Sequence, residues 1–201
     1  VLLVTMDGRK IGLDQRLINP LLPDEAGTKV NACIDNVFRI WNETSENRST
    51  QLIFCDFGVP TVQKKVKDKD GNAITKSEED FSKFNIYDDI RSKLINMGVP
   101  QEEIAFIHSA KTKEAKEKLF EKVRNGDVRI LIGSTSKMGA GTNVQNKLIA
   151  SHDLNCPWKP RDMEQRRGRM VRQGNENKKV QLFRYVTKDL SLIHISEPTR
   201  H

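Results

Sequence analysis

Three stretches of the 201-residue sequence hold residues whose types and spacing could do chemistry. In residues 165–174 (QRRGRMVRQG), Arg166, Arg169 and Arg172 recur every third residue and share one face of a helix. The stretch contains no acid, whereas a surface face laced with ion pairs would intersperse them. Uncompensated guanidiniums on one face suit a planar anion bound bidentately, which means phosphate. The plain alternative is a solvated basic face. Residues 133–144 (GSTSKMGAGTNV) follow an apolar run. Hydroxyls and glycines directly after a strand let backbone N–H groups approach a phosphate closely, and Lys137 adds a cation. Here the plain alternative is an ordinary glycine-rich turn. No G-x-x-x-x-G-K-[ST] loop occurs anywhere in the chain. The third stretch, Trp158-Lys159-Pro160, is separated from Gln165 by four residues and says little alone.

One further match is rejected. Asp24-Glu25-Ala26-Gly27 has the form of an acidic magnesium-binding tetrapeptide. That chemistry needs a central strand to deliver the aspartate, and Pro20 and Pro23 exclude one here.

The elements that must position these residues follow from pattern. Val1 to Val4 read like part of a strand, and residues 1–30 otherwise read as irregular. Val30, Ile34, Val37, Phe38 and Trp41 keep helical spacing. Residues 52–57 (LIFCDF) form a short apolar run expected to be a buried strand. Residues 59–80 are charged and poor in apolar side chains, with Asp70-Gly71-Asn72 at their centre, and read as a solvated insertion or hairpin. Phe84, Tyr87, Ile90 and Leu94 mark a helix closed by Gly98 and Pro100. A strand over residues 104–108 follows. Ser109 is placed to cap the next helix, which Gly126 stops. Strands are expected over 129–133, 148–154 and 180–187, with a short arginine-rich helix over 163–171. Strands alternating with helices imply a parallel sheet with right-handed crossovers. Ligands meet such sheets at the loops on the carboxyl ends of the strands.

Composition sets the outer bounds. Hydrophobic residues make up 36% and charged residues 30% of the chain, which fits a soluble globular protein. No apolar run approaches the roughly 18–20 residues a membrane span needs, so no membrane partner is expected. Asp7, Arg9, Lys10 and Asp14 leave no signal peptide visible near the start. Cys33, Cys55 and Cys156 are scattered and fit neither a disulfide framework nor a zinc site, so a cytoplasmic setting is expected. A net charge of +7 permits a polyanionic partner. The chain begins at Val1, and residues 190–200 (LSLIHISEPTR) look like a translated sequencing adaptor. The expectation is therefore a reading frame open at both ends, with 190–201 a scar.

Taken together and in order, the motifs resemble the C-terminal RecA-like lobe of superfamily-2 helicases and translocases. W-x-P-x-x-x-x-Q leading into Q-x-x-G-R-x-x-R-Q-G is similar to the last motif of the SWI/SNF group. Segments such as DQRLINPLLPDEAG and STSKMGAGTNVQ also look like the helicase–methylase proteins of phages and conjugative elements. The resemblance covers about residues 51–187. It implies an α/β fold, a RecA-like three-layer domain with a mainly parallel sheet, after an irregular or helical brace over residues 1–50. By this resemblance Arg169 and Arg172 match the arginines that reach ATP phosphates, and Gln165 opens the same motif. Gly139, Gly141, Thr142 and Asn143 match the motif coupling nucleotide to nucleic acid. Ser134, Thr135 and Lys137 would lie nearer the nucleic-acid backbone, as would Ser109 and Lys111. The implied cofactors are ATP and Mg2+, the metal held by an N-terminal RecA-like lobe of the same parent chain. The implied partner is nucleic acid, double-stranded DNA by the SWI/SNF likeness. Two departures stand out: Lys159 where SWI/SNF proteins usually carry Asn, and the charged 59–80 segment.

Two other classes fit less well. A non-catalytic nucleic-acid-binding module accounts equally for the basic balance but needs no partner lobe. A dinucleotide enzyme would want a clean G-x-G-x-x-G and an acid about 20 residues on, and Asp153 comes too early.

Overall fold

The computed structural model describes residues 2–59, 61–67, 73–79, 84–139, 143–155, 168 and 173–187. Its centre is a parallel sheet of Thr50–Phe54 (β1), Ile104–Phe106 (β4), Ile130–Gly133 (β5), Leu148–Asp153 (β6) and Gln181–Arg184 (β7), in the order β4-β5-β1-β6-β7. Thr61–Lys67 (β2) and Ala73–Glu79 (β3) form a separate antiparallel hairpin. The helices described are Leu2–Ile11 (α1), Lys29–Glu43 (α2), Ile86–Asn96 (α3), Lys113–Asn125 (α4) and the short Thr135–Gly139 (α5).

Alternation along the strands builds two cores. Ile53, Cys55, Phe106, Ile130 and Ile132 face Val30, Cys33, Ile34 and Val37 of α2 and Ile86, Tyr87, Ile90 and Leu94 of α3. Leu52, Phe54, Leu131 and Leu148 face the other way, against Phe120 and Val123 of α4 and Met138 of α5. A sheet buried on both faces is the expected state of parallel strands, because crossover helices cover it. Each fully buried aliphatic side chain contributes roughly 1.5–3 kcal/mol. The α/β, three-layer RecA-like expectation is therefore met, and α2 shares the sheet's core.

Local chemistry sets where the helices begin and end. Thr28, Asn85 and Thr112 each accept a hydrogen bond from a backbone N–H in the first turn of α2, α3 and α4. Gly126 ends α4 at φ 83°, where a Cβ would lie 2.7 Å from the Arg48 carbonyl oxygen.

Four local expectations need correction. Leu2, Leu3 and Val4 are not part of a strand, since Leu2 to Ile11 are helical. Four apolar residues alone do not separate the two states, and Arg9 and Lys10 in the last turn suit a helix's negative end. The strand at 104–108 stops at Phe106, and Ile107–Ser109 tighten into a 3-10 turn. Ser109 does not cap α4. Its hydroxyl donates to the Phe106 carbonyl at 2.7 Å, and Thr112 caps instead. The glycine-rich stretch after β5 is not a loop at first, because it turns straight into α5.

The amino end of the sheet is stitched shut. Arg129, 2% exposed, donates to the carbonyls of Ser49 (3.2 Å) and Trp41 (2.6 Å) and to Thr44 Oγ1 (3.1 Å). Glu103 takes Trp41 Nε1 at 2.7 Å and Arg48 at 3.0 Å. The segment before α2 is pinned in the same manner. Arg16 pairs with Asp14 at 2.6 Å, Asp89 at 2.9 Å and Asp24 at 3.2 Å. Asp24 thus serves an ion-pair cluster.

Candidate functional site

The carboxyl ends of β5, β1 and β6 lie side by side. Phe54 registers with Gly133 on one side and Asp153 on the other. Two residues beyond each strand end stand Thr135, Asp56 and Asn155, and they bond to one another. Asp56 Oδ1 accepts the Thr135 N–H at 2.6 Å, and Oδ2 accepts the Thr135 hydroxyl at 2.7 Å. Asn155 Oδ1 accepts the Asp56 N–H at 2.9 Å and the Phe57 N–H at 3.4 Å. The Asp56 carboxylate therefore caps α5 from a different strand.

Gly133 makes the fold-back possible. A Cβ there would lie 2.4 Å from Ile107 Cγ2 and 2.8 Å from Met138 Cγ. Only a residue without a side chain lets α5 close over the strand end against the turn after β4. Ser134 is buried, and its hydroxyl lies 3.1 Å from that of Ser136.

The structure brings Ser134, Thr135 and Lys137 together on one short element at the carboxyl edge. Exposed Ser109 and Lys111 lie on the turn whose Ile107 packs against Gly133, so they share that edge. Thr135 differs from its expected role in one respect: both its donors are engaged by Asp56. Gly139 closes α5. Asn143 is exposed, and its carbonyl accepts from Arg124 at 2.9 Å. Gly141, Thr142, Gln165, Arg169 and Arg172 lie outside the described residues, as do Trp158 and Lys159. Of the expected helix over 163–171, Gly168 is described, and it is helical.

Sequence reasoning missed Asp56 and Asn155. The available signal was position, since each follows a buried strand by two residues at the edge where such sheets meet ligands. It also missed a buried chain beside the site. His152 Nδ1 lies 2.8 Å from the Tyr185 hydroxyl and Nε2 lies 3.0 Å from Gln51 Oε1. Burial pushes the imidazole down to about 3, so it is neutral at pH 7. It ties β6 to β1 and to the residues after β7 rather than offering a base to solvent. Burial likewise raises the Cys33 and Cys55 thiols well above their usual range. Among the described residues, no group of three or more His, Cys, Asp or Glu could hold a metal ion. No described helix is long and apolar enough to cross a membrane.

This parallel order, with its polar cluster at the carboxyl edge, defines a RecA-like lobe. The family model for the helicase conserved C-terminal domain matches residues 29–174, and the chain belongs to that family. No curated protein matches the sequence. Among solved structures, the C-terminal part of the Fun30 ATPase domain is similar at TM-score 0.56 and 15% identity, over 96% of this chain and 52% of that one. The chain thus spans about half of that structure's length. The RNA helicase Prp28 from Chaetomium thermophilum, bound to ADP, aligns at TM-score 0.48 and 18% identity over 78% of this chain and 30% of that one. The Hef helicase domain of Pyrococcus furiosus aligns at 0.46 and 12% over 84% and 27%.

Proposed function

We propose that this chain is the C-terminal half of a nucleic-acid-stimulated ATPase of the helicase and translocase type, acting in the cytoplasm on double-stranded DNA. The observation that carries the reading is the clustering of Ser134, Thr135, Lys137, Ser109 and Lys111 at one sheet edge, in a chain whose residues 29–174 match the helicase C-terminal domain. The Fun30 structure is described as part of an ATPase domain, which supports ATP as the nucleotide.

In this reading an N-terminal lobe of the parent protein holds ATP and Mg2+. By the likeness to the family, Arg169 and Arg172 act on the ATP phosphates, and Gln165 opens the same motif. The guanidiniums offset charge that grows on the transferred phosphoryl group, an effect worth roughly 10³–10⁵ in rate. ATP supplies the free energy of phosphoryl transfer. By the likeness to the family, Gly139, Gly141, Thr142 and Asn143 couple the nucleotide to the nucleic acid. Contacts there are mostly to phosphates, so affinity is sequence-tolerant and salt-sensitive.

The test is made in the product of the complete reading frame. Arg169→Ala and Arg172→Ala are each expected to abolish DNA-stimulated ATP hydrolysis while sparing ATP binding. Unchanged turnover in both variants removes the finger assignment.

A further inference from the structure

The first turn of α5 carries three consecutive polar side chains, and the geometry sorts them by direction. Successive residues of a helix point about 100° apart. Met138, 1% exposed, turns into the core with Leu52, Phe54 and Ile107. Thr135 stands three residues earlier and so on the same side of the helix. It turns toward the end of β1, where Asp56 takes both its backbone N–H and its hydroxyl proton. Ser136 and Lys137 fall on the other side of the turn, and Ser136 is exposed.

Ser136 also has a proton to give. Its oxygen lies 3.1 Å from that of Ser134, which is buried. A buried hydroxyl needs an acceptor for its proton, and Ser136 Oγ stands where it can accept it. With Ser134 donating, Ser136 keeps its own proton for an acceptor in solvent. Thr135 is in the opposite state. Its hydroxyl donates at 2.7 Å to a carboxylate, and bonds to an ionised acceptor are the stronger kind. A phosphate that took this donor would have to displace Asp56 and lie against its negative charge.

We propose that Ser136 is the hydroxyl of α5 that donates to a nucleic-acid phosphate, beside Lys137, and that Asp56 is a positioning residue that withholds Thr135 from that contact. The proposal rests on the reading that this edge faces nucleic acid. It moves the hydroxyl contact expected of Thr135 to its neighbour, and it leaves Ser134 acting on phosphate only through Ser136. A hydroxyl and an ammonium on one turn suit backbone contact without sequence readout.

The test uses the 201-residue chain and a fluorescein-labelled DNA duplex of mixed sequence, read by anisotropy across a salt series, with urea midpoints for the same variants. Ser136→Ala is expected to weaken binding roughly tenfold, the range for a hydrogen bond to a charged group. Its salt slope should not change, because no cation is lost. Ser136→Thr keeps the hydroxyl and is expected to keep the affinity. Lys137→Ala is expected to weaken binding and to lower the salt slope by about 0.9. Thr135→Val is expected to lower the urea midpoint while changing affinity less than about twofold. In an Asp56→Ala background Thr135 is released, and the same valine change is then expected to weaken binding about threefold or more. Full affinity in Ser136→Ala overturns the assignment, and so does a loss in Thr135→Val equal to that in Ser136→Ala. An Asp56→Ala background in which the valine change costs no affinity overturns the withholding by Asp56. In each of these cases a loss in Lys137→Ala leaves the nucleic-acid reading standing. No binding of the duplex by the wild-type chain overturns both.

Discussion

The carboxylate of Asp56 grips Thr135 twice, at 2.6 Å to the backbone nitrogen and 2.7 Å to the hydroxyl, across the boundary between β1 and β5. This contact fixes where α5 starts, and α5 carries the residues expected to meet nucleic acid. Asp56→Ala leaves the Thr135 N–H without its acceptor and should cost about 1–2 kcal/mol. Asp56→Asn keeps one acceptor and should cost less. Urea unfolding of both variants checks this, and a change below about 0.3 kcal/mol for the alanine would show that the contact carries no weight. In the complete protein the same variant should loosen the dependence of ATP hydrolysis on DNA.

Arg129 is the corresponding anchor at the opposite end of the sheet. It is buried, donates to two carbonyls and a hydroxyl, and lies over the Trp41 ring at 5.1 Å. Arg129→Ala should destabilise by about 3 kcal/mol, because the acceptors and Glu103 lose their partner in a buried setting. Lysine should not rescue it, since one ammonium cannot reproduce a planar fork. Denaturant midpoints settle the point, and a lysine variant as stable as wild type would contradict it.

His152 gives the fold a predictable acid limb. Burial holds its folded value near 3, against an ordinary 6.5. Between those values the unfolded chain binds a proton that the folded chain refuses. Stability is therefore full above pH 6.5 and declines as pH falls, by about 1.4 kcal/mol per unit, or about 2 kcal/mol at pH 5. His152→Gln removes the titration, so its stability should fall less between pH 7 and 5 than that of wild type. Parallel pH profiles for the two proteins would refute this.

What the sequence made legible follows from how local each signal is. β5 is a short apolar run, β1 ends in one and β6 begins with one, and α2, α3 and α4 keep their stripe and carry their own caps. Those elements need nothing distant to be seen. α5 was hidden because its capping carboxylate comes from 79 residues away. Asp56 and Asn155 were hidden for the same reason, since their meaning lies in neighbours across the sheet. α1 begins with apolar residues that serve a helix or a strand equally well. The arginine motif was the plainest chemical signal in the sequence, and Arg169 and Arg172 are outside the described residues.

Gly133 offers the sharpest test of how α5 is held. A methyl group there meets Ile107 Cγ2 at 2.4 Å and Met138 at 2.8 Å. Met138 is unbranched and can yield, whereas the β-branched methyl of Ile107 is fixed close to the backbone. Gly133→Ala should therefore cost about 1–3 kcal/mol through overpacking. Ile107→Leu moves the branch away from Cβ and opens the space. The double variant should recover about 1 kcal/mol relative to the sum of the two single changes, which is the range for side chains in contact. Additive losses in the double-mutant cycle would place the strain elsewhere, in the backbone of the β5–α5 turn rather than in its packing on the turn after β4.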